Sequence, residues 1–159
     1  MKFIKFCVVF ALHAYFALPN LMASETAPPE LQSLNEETIE LYRTGKYDRG
    51  VHVAKQALAL TELSFGPNHP DVANSLNNLA ILYRAQSKYA QAEALYKRAL
   101  EINEQALGLD HPFVAANMNN LALLYRTQGL YLQAEPLYKR ALLSMRMPSV
   151  LITQRSLPA

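Results

Sequence analysis

The sequence predicts an all-α protein, a solenoid of about three stacked helical hairpins. Three observations carry that prediction: a long internal repeat, apolar residues at helical spacing within each copy, and proline and glycine at the copy boundaries. The stretch G-P-N-H-P-D-V-A-N-S-L-N-N-L-A-I-L-Y-R, beginning at Gly66, returns at Gly108 as G-L-D-H-P-F-V-A-A-N-M-N-N-L-A-L-L-Y-R. His69 and His111, Asn78 and Asn120, Arg84 and Arg126, and Ala99 and Ala141 are each 42 residues apart. A fixed period of this size marks units that cannot bury an apolar face alone and must stack. Function is then expected on a repeated surface.

Each unit reads as two helices. Val72, Leu76, Leu79, Ala80 and Tyr83 recur at spacings of three and four, which gives one apolar face. Pro70 suits the first turn, where its missing N–H has no partner to lose, and Asp71 complements the positive end of the helix dipole. A second pattern, Tyr89, Ala92, Leu95, Tyr96, Ala99, Leu100 and Ile102, fades before Gly108, a natural stop. The unit from Gly108 repeats the scheme, with Gly129 at its internal turn. Upstream, Leu34, Tyr47, Ala57 and Leu58 keep the same register, but Glu37 stands where later units have Leu79 and Leu121. The array is therefore divided into a diverged first repeat, 31–65, and repeats at 66–107 and 108–147.

The small residues Ala80, Ala92 and Ala99, set among Leu76, Leu79, Tyr83, Tyr89 and Tyr96, resemble the tetratricopeptide pattern, in which small side chains lie at close helix crossings. The G-x-x-H-P-x-V-A opening and the L-N-N-L-A-x-L-Y-R core look more narrowly like the kinesin light chain type, also common in bacterial proteins. The resemblance covers roughly Leu34 to Arg146. It implies that the first helices line a concave face that binds protein or extended peptide.

On that resemblance, Asn77, Asn78, Asn119 and Asn120 are candidates for an asparagine ladder that hydrogen-bonds a peptide backbone. Arg84 and Arg126 match the family position that contacts acidic or polar peptide groups. The alternative is that the asparagines satisfy neighbouring helices and the arginines are merely solvated. Lys97-Arg98 and Lys139-Arg140 fall on second helices and read as outer-face residues.

Residues 1–23 differ in kind. Lys2 and Lys5 give a basic start, Phe6 to Leu18 an uncharged apolar run, and Leu21-Met22-Ala23 a cleavage site before Ser24, as in a secretory signal peptide. Export to the periplasm or outside the cell is the expectation, with no stable membrane insertion after cleavage; an uncleaved amino-terminal anchor is the alternative. Residues 24–30, with Pro28 and Pro29, read as an unstructured leader.

Of 15 Lys and Arg, the segment removes two and no acid, which leaves the cations balanced against 13 Asp and Glu. A neutral chain without a polybasic stretch lacks the phosphate-neutralising charge of nucleic-acid binding. The single cysteine, Cys7, leaves with the segment, and with it any disulfide or thiol chemistry. His69 and His111 belong to His-Pro turns without a carboxylate or histidine partner at ligand spacing. The tyrosines Tyr83, Tyr89, Tyr96, Tyr125, Tyr131 and Tyr138 read as crossing-point packing. Neither a triad order nor a phosphate loop stands out. Accordingly, no enzyme activity, cofactor or metal is expected.

The register calls for glycine at position 150 and His-Pro from position 153, but the chain reads Met147-Pro148-Ser149-Val150-Leu151-Ile152-Thr153-Gln154. With suitable wobble bases, codons for these residues read in a shifted frame give Ala-Phe-Gly-Pro-Asp-His-Pro, the missing linker. The expectation is a frameshift near Leu143 to Met147 that truncates a longer array, with 148–159 as a disordered tail. The third unit's second helix would then lack a covering neighbour, which favours self-association through that open end. Three functions remain open: an exported binding module, a truncated or self-associating fragment, and a targeting or regulatory subunit for a separate enzyme.

Overall fold

A computed structural model describes residues 28–153, with side chains through Met145. The expected signal peptide, residues 24–27 of the expected leader and residues 154–159 of the expected tail lie outside the described residues. Within them the chain forms six α-helices and no strand: α1 (Pro29–Arg43), α2 (Tyr47–Phe65), α3 (Pro70–Ala85), α4 (Tyr89–Leu107), α5 (Pro112–Thr127) and α6 (Tyr131–Thr153). Successive helices pack pairwise along the chain, and first helices also touch, α1 with α3 and α3 with α5. Helical hairpins stacked in this way form an all-α repeat solenoid.

The 42-residue register is visible in the caps. His69 and His111 take the N-cap positions of α3 and α5. Their Nδ1 atoms accept the backbone N–H of Asp71 and Phe113, both at 3.2 Å. That satisfies one orphan donor at each helix start, so the histidines are structural turn residues with a defined task. Gly66 and Gly108 close α2 and α4 at φ +85° and +86°, a left-handed exit that side chains disfavour.

The helix boundaries depart from the sequence reading at both ends. Helix α1 starts at Pro29, two residues inside the expected leader, because proline suits a first helical turn. Helix α6 runs through Pro148 to Thr153, past the expected end of the third repeat at 147 and into the segment expected to be disordered. Its register counterpart to Gly108 is Val150, and a β-branched residue offers no low-cost left-handed exit.

One apolar core joins all three units. It holds Ala54, Leu79, Ala80, Leu82, Tyr83, Ala92, Tyr96, Leu121, Ala122, Leu124, Tyr125 and Ala134. Two satellite clusters repeat one another in register: Val72, Ala73, Leu76 and Ala99 in one, Val114, Ala115, Met118 and Ala141 in the other. Gly50 takes the place of Ala92 in the first unit, and a Cβ there would come within 2.8 Å of Leu82 Cδ2. The irregular Glu37 is explained by an ion pair with Arg49 that ties α1 to α2 at the surface. Second helices are tied to one another by Arg98 to Glu62 and by Arg140 to Glu104, each at 2.7 Å. Arg98 and Arg140 thus lie at the surface as expected, but as interunit clamps.

Candidate ligand-binding face

The first helices α1, α3 and α5 form one face of the array, and the asparagine-rich stretches of α3 and α5 lie on it. Asparagine is a mediocre helix former, so its recurrence in mid-helix needs a partner or a solvent-facing role. The structure divides the six candidates between those roles.

Asn77 is buried, and its Nδ2 donates to Oδ1 of Asn117 at 2.8 Å across the α3–α5 contact. This corrects the ligand-binding assignment for Asn77: it holds two units together. Asn119, its counterpart one unit on, is half-buried on the last first helix. Asn78 is half-buried and lines a small cleft of about 80 Å³ between α1 and α3 with Thr38, Ile39, Tyr42, Ile81 and Leu82. Asn120 is half-buried at the matching place on α5.

The two arginines share a register position but differ in surroundings. Arg84 is half-buried beside Tyr96, with its Nε shielded and without a partner. Burial pushes the Tyr96 phenol above its ordinary pKa, and the Arg84 guanidinium opposes that rise. Arg126 is exposed and lines a groove of about 330 Å³ with Tyr131, Ala134, Glu135, Tyr138 and Lys139. In the preceding unit the matching groove is filled by α5: Tyr125 Oη donates to Glu93 Oε1 at 2.8 Å. The hydrogen bond from Lys97 is the main cause that holds the Glu93 carboxyl below its usual range, and burial together with the bond to Glu93 raises Tyr125. The third unit's groove presents the same chemistry, no helix among the described residues covers it, and Tyr131 is 67% exposed there.

A larger feature went unread in the sequence. Beside the Asn78 cleft, α1 and α3 flank an open cavity of about 350 Å³ lined by Gln32, Asn35, Glu36, Asp71 and Asn74, with Thr61 and Ser75 at its base. Thr61 belongs to a second helix and is fully buried, so the cavity opens toward the first-helix face. Ser75 is the register counterpart of Asn117, a difference that could have flagged the site.

The tetratricopeptide repeat profile matches residues 40–105 and 83–144, together well over half of the chain. The chain belongs to the tetratricopeptide repeat family. Among solved structures, this tetratricopeptide protein is similar to BtubC (BKLC) from P. vanneervenii at 25% identity and a TM-score of 0.68, over 77% of this chain and 49% of that one. It also shares its fold with a Podosopora anserina protein assigned as a kinesin light chain with nearly identical TPR-like repeats. That likeness has 24% identity and a TM-score of 0.66, over 79% of this chain and 62% of the other. The chain thus spans about half of the first and under two thirds of the second. The likeness to the kinesin light chain-like structure is one of fold, an array of stacked helical hairpins. No curated protein matches the sequence. Tetratricopeptide repeats generally mediate protein–protein interaction, typically as non-catalytic scaffolds. Among the described residues no helix is long and apolar enough to cross a membrane.

Proposed function

We propose that this chain is an exported interaction module that binds an extended segment of a partner protein on its first-helix face and carries out no chemistry of its own. The observation that carries the reading is the open α1–α3 cleft with the Asn78 amide on its wall, a position repeated by Asn120 on α5. A primary amide offers a donor and an acceptor together, which matches the alternating N–H and C=O groups of an extended backbone. Arg126, and Asn119 two turns before it on α5, extend the same chemistry toward the last unit. Arg84, beside Tyr96, contributes less, because its approach is already half-blocked. Export rests on the signal-like residues 1–23. Mass spectrometry of exported material is expected to find an amino terminus near Ser24, and an intact Met1 in a cytosolic fraction would overturn that part. Capture of partners from the exported fraction, followed by Asn78→Ala and Asn120→Ala, tests the binding reading.

A second reading, self-association, is favoured by one observation: the exposed groove at Arg126, Tyr131 and Glu135 copies one that α5 fills in the preceding unit. Sedimentation velocity across a concentration series tests it, with association expected and weakened by Tyr131→Ser. Truncation of a longer array remains a proposal for the irregular end. The gene read in the shifted frame after Leu143 should encode the missing Gly-x-x-His-Pro linker and a further helix, and a stop at once would refute it.

A further inference from the structure

The two contacts between first helices are built in one register but end in different chemistry. At α3–α5 the positions are Asn77, Asn103 and Asn117, all buried, with the amide of Asn77 closed onto Asn117. At α1–α3 the same positions are Asn35, Thr61 and Ser75. Here Ser75 Oγ lies 3.0 Å from Thr61 Oγ1, and the hydroxyl of Thr61 turns back to the carbonyl of Ala57 at 2.7 Å. Two shorter side chains replace two asparagines, and the space they give up is part of the cavity of about 350 Å³. The first contact is a seam filled by three buried amides, of which Asn77 and Asn117 bond one another and Asn103 has no partner among the described residues; the second is a chamber open to the first-helix face.

The chamber has a definite polarity. Its wall carries the carboxylates of Glu36 and Asp71 and the amides of Asn35 and Asn74, and none of its lining residues is a lysine, arginine or histidine. Glu36 is oriented by a hydrogen bond from Gln32 Nε2 at 2.9 Å, which occupies only one carboxylate oxygen. His69 Nδ1 lies 3.5 Å from one carboxylate oxygen of Asp71 and accepts the backbone N–H of the same residue at 3.2 Å. Leu31 and Ile39 supply an apolar strip along the α1 side.

The geometry points to a subsite for an arginine side chain of the bound peptide in the open chamber between α1 and α3. The aliphatic stem would lie on Leu31 and Ile39, and the guanidinium would present its donors to Glu36, Asp71 and the amide oxygens around them. Several acceptors around one chamber suit the planar five-donor fork of arginine better than the point charge of lysine. This deepens the peptide reading by naming a residue the ligand must contain, and it sets the basic part of the ligand at the amino-terminal end of the array.

The test is titration of the full chain with Nα-acetyl-arginine amide, read by backbone amide shifts, with the citrulline analogue as neutral isostere. Saturable shifts at Asn35, Asn74 and Ser75, with citrulline about tenfold or more weaker, are expected. Ser75→Asn, which restores the filled seam, should abolish binding while the unfolding midpoint holds or rises. Should that variant fail to fold, the surface pair Glu36→Gln with Asp71→Asn should weaken arginine by about tenfold and leave citrulline unchanged. Equal binding of arginine and citrulline, absence of saturation, or full binding by Ser75→Asn overturns the subsite. Asn120→Ala, remote from the chamber, separates the two claims. If arginine amide binds but no peptide responds to Asn120→Ala, the subsite stands and the wider peptide face falls. If a bound peptide is weakened by Asn120→Ala but not by Ser75→Asn, the subsite falls and the face stands.

Discussion

Asn77 and Asn117, 40 residues apart in the chain, meet side chain to side chain at 2.8 Å inside the contact between the second and third units. A buried amide pair of this kind is expensive to break from one side, since the remaining partner is left desolvated without its bond. Asn77→Ala should therefore lower stability by about 1–3 kcal/mol in denaturant unfolding. An unchanged midpoint would return Asn77 to the ligand-facing residues.

Ala80 and Ala122 are fully buried at matching helix crossings in the joined core. Ala80→Arg or Ala122→Arg forces a long charged chain into a space built for a methyl group. Overpacking costs about 1–3 kcal/mol, and an unpaired buried charge adds to it. Thermal unfolding should show a large drop in midpoint for either variant, and wild-type behaviour would mean that the helices do not cross at these alanines.

The internal turns of the three units fall at Gly45, Ser87 and Gly129, all with positive φ, and Ser87 is held at +59°. A non-glycine residue is strained there, so Ser87→Gly should raise stability by about 0.5–1 kcal/mol, with glycine's added freedom in the unfolded chain offsetting part of the gain. A loss of stability would show that the Ser87 side chain, which receives a long 3.4 Å hydrogen bond from Tyr89 Oη, matters more than the strain.

Glu93, held chiefly by Lys97 and also by Tyr125, has its pKa lowered in the folded state. Its contribution is full above the pKa of an unfolded glutamate and is lost as pH falls through its depressed value. Glu93→Gln should therefore destabilise the array most near neutrality, with the gap from wild type closing under acid conditions. A pH-independent gap, measured by urea unfolding, would mean that the carboxylate's ionisation contributes nothing.

The fold was legible because the period, the His-Pro openings and the glycine stops each encode a local conformation that the chain then adopts. Glu37 disrupted the pattern of the first unit, since an ion pair with Arg49 substitutes for the leucine found elsewhere. The end of α6 was misplaced because the tail was set apart on its broken repeat register, while the helix of the third unit continues into it as far as Thr153. The site was legible only in part. Asn77 and Asn78 are adjacent in sequence, but the helix turns one into the interunit contact and leaves the other on the cleft, a difference that repetition alone does not reveal. The α1–α3 chamber depends on what Thr61 and Ser75 lack relative to Asn103 and Asn117, and volume missing from a contact is invisible until the helices are placed.

Isothermal titration of a captured partner peptide against wild type, Asn78→Ala, Asn120→Ala and Arg126→Ala tests the account most directly. Each asparagine variant should bind about tenfold or more weakly with a near-wild-type unfolding midpoint, because a backbone group of the ligand loses its partner. Arg126→Ala should weaken an acidic peptide in a way that fades at high salt. Unchanged affinity in all three variants would contradict the claim that the first-helix face is where this array binds.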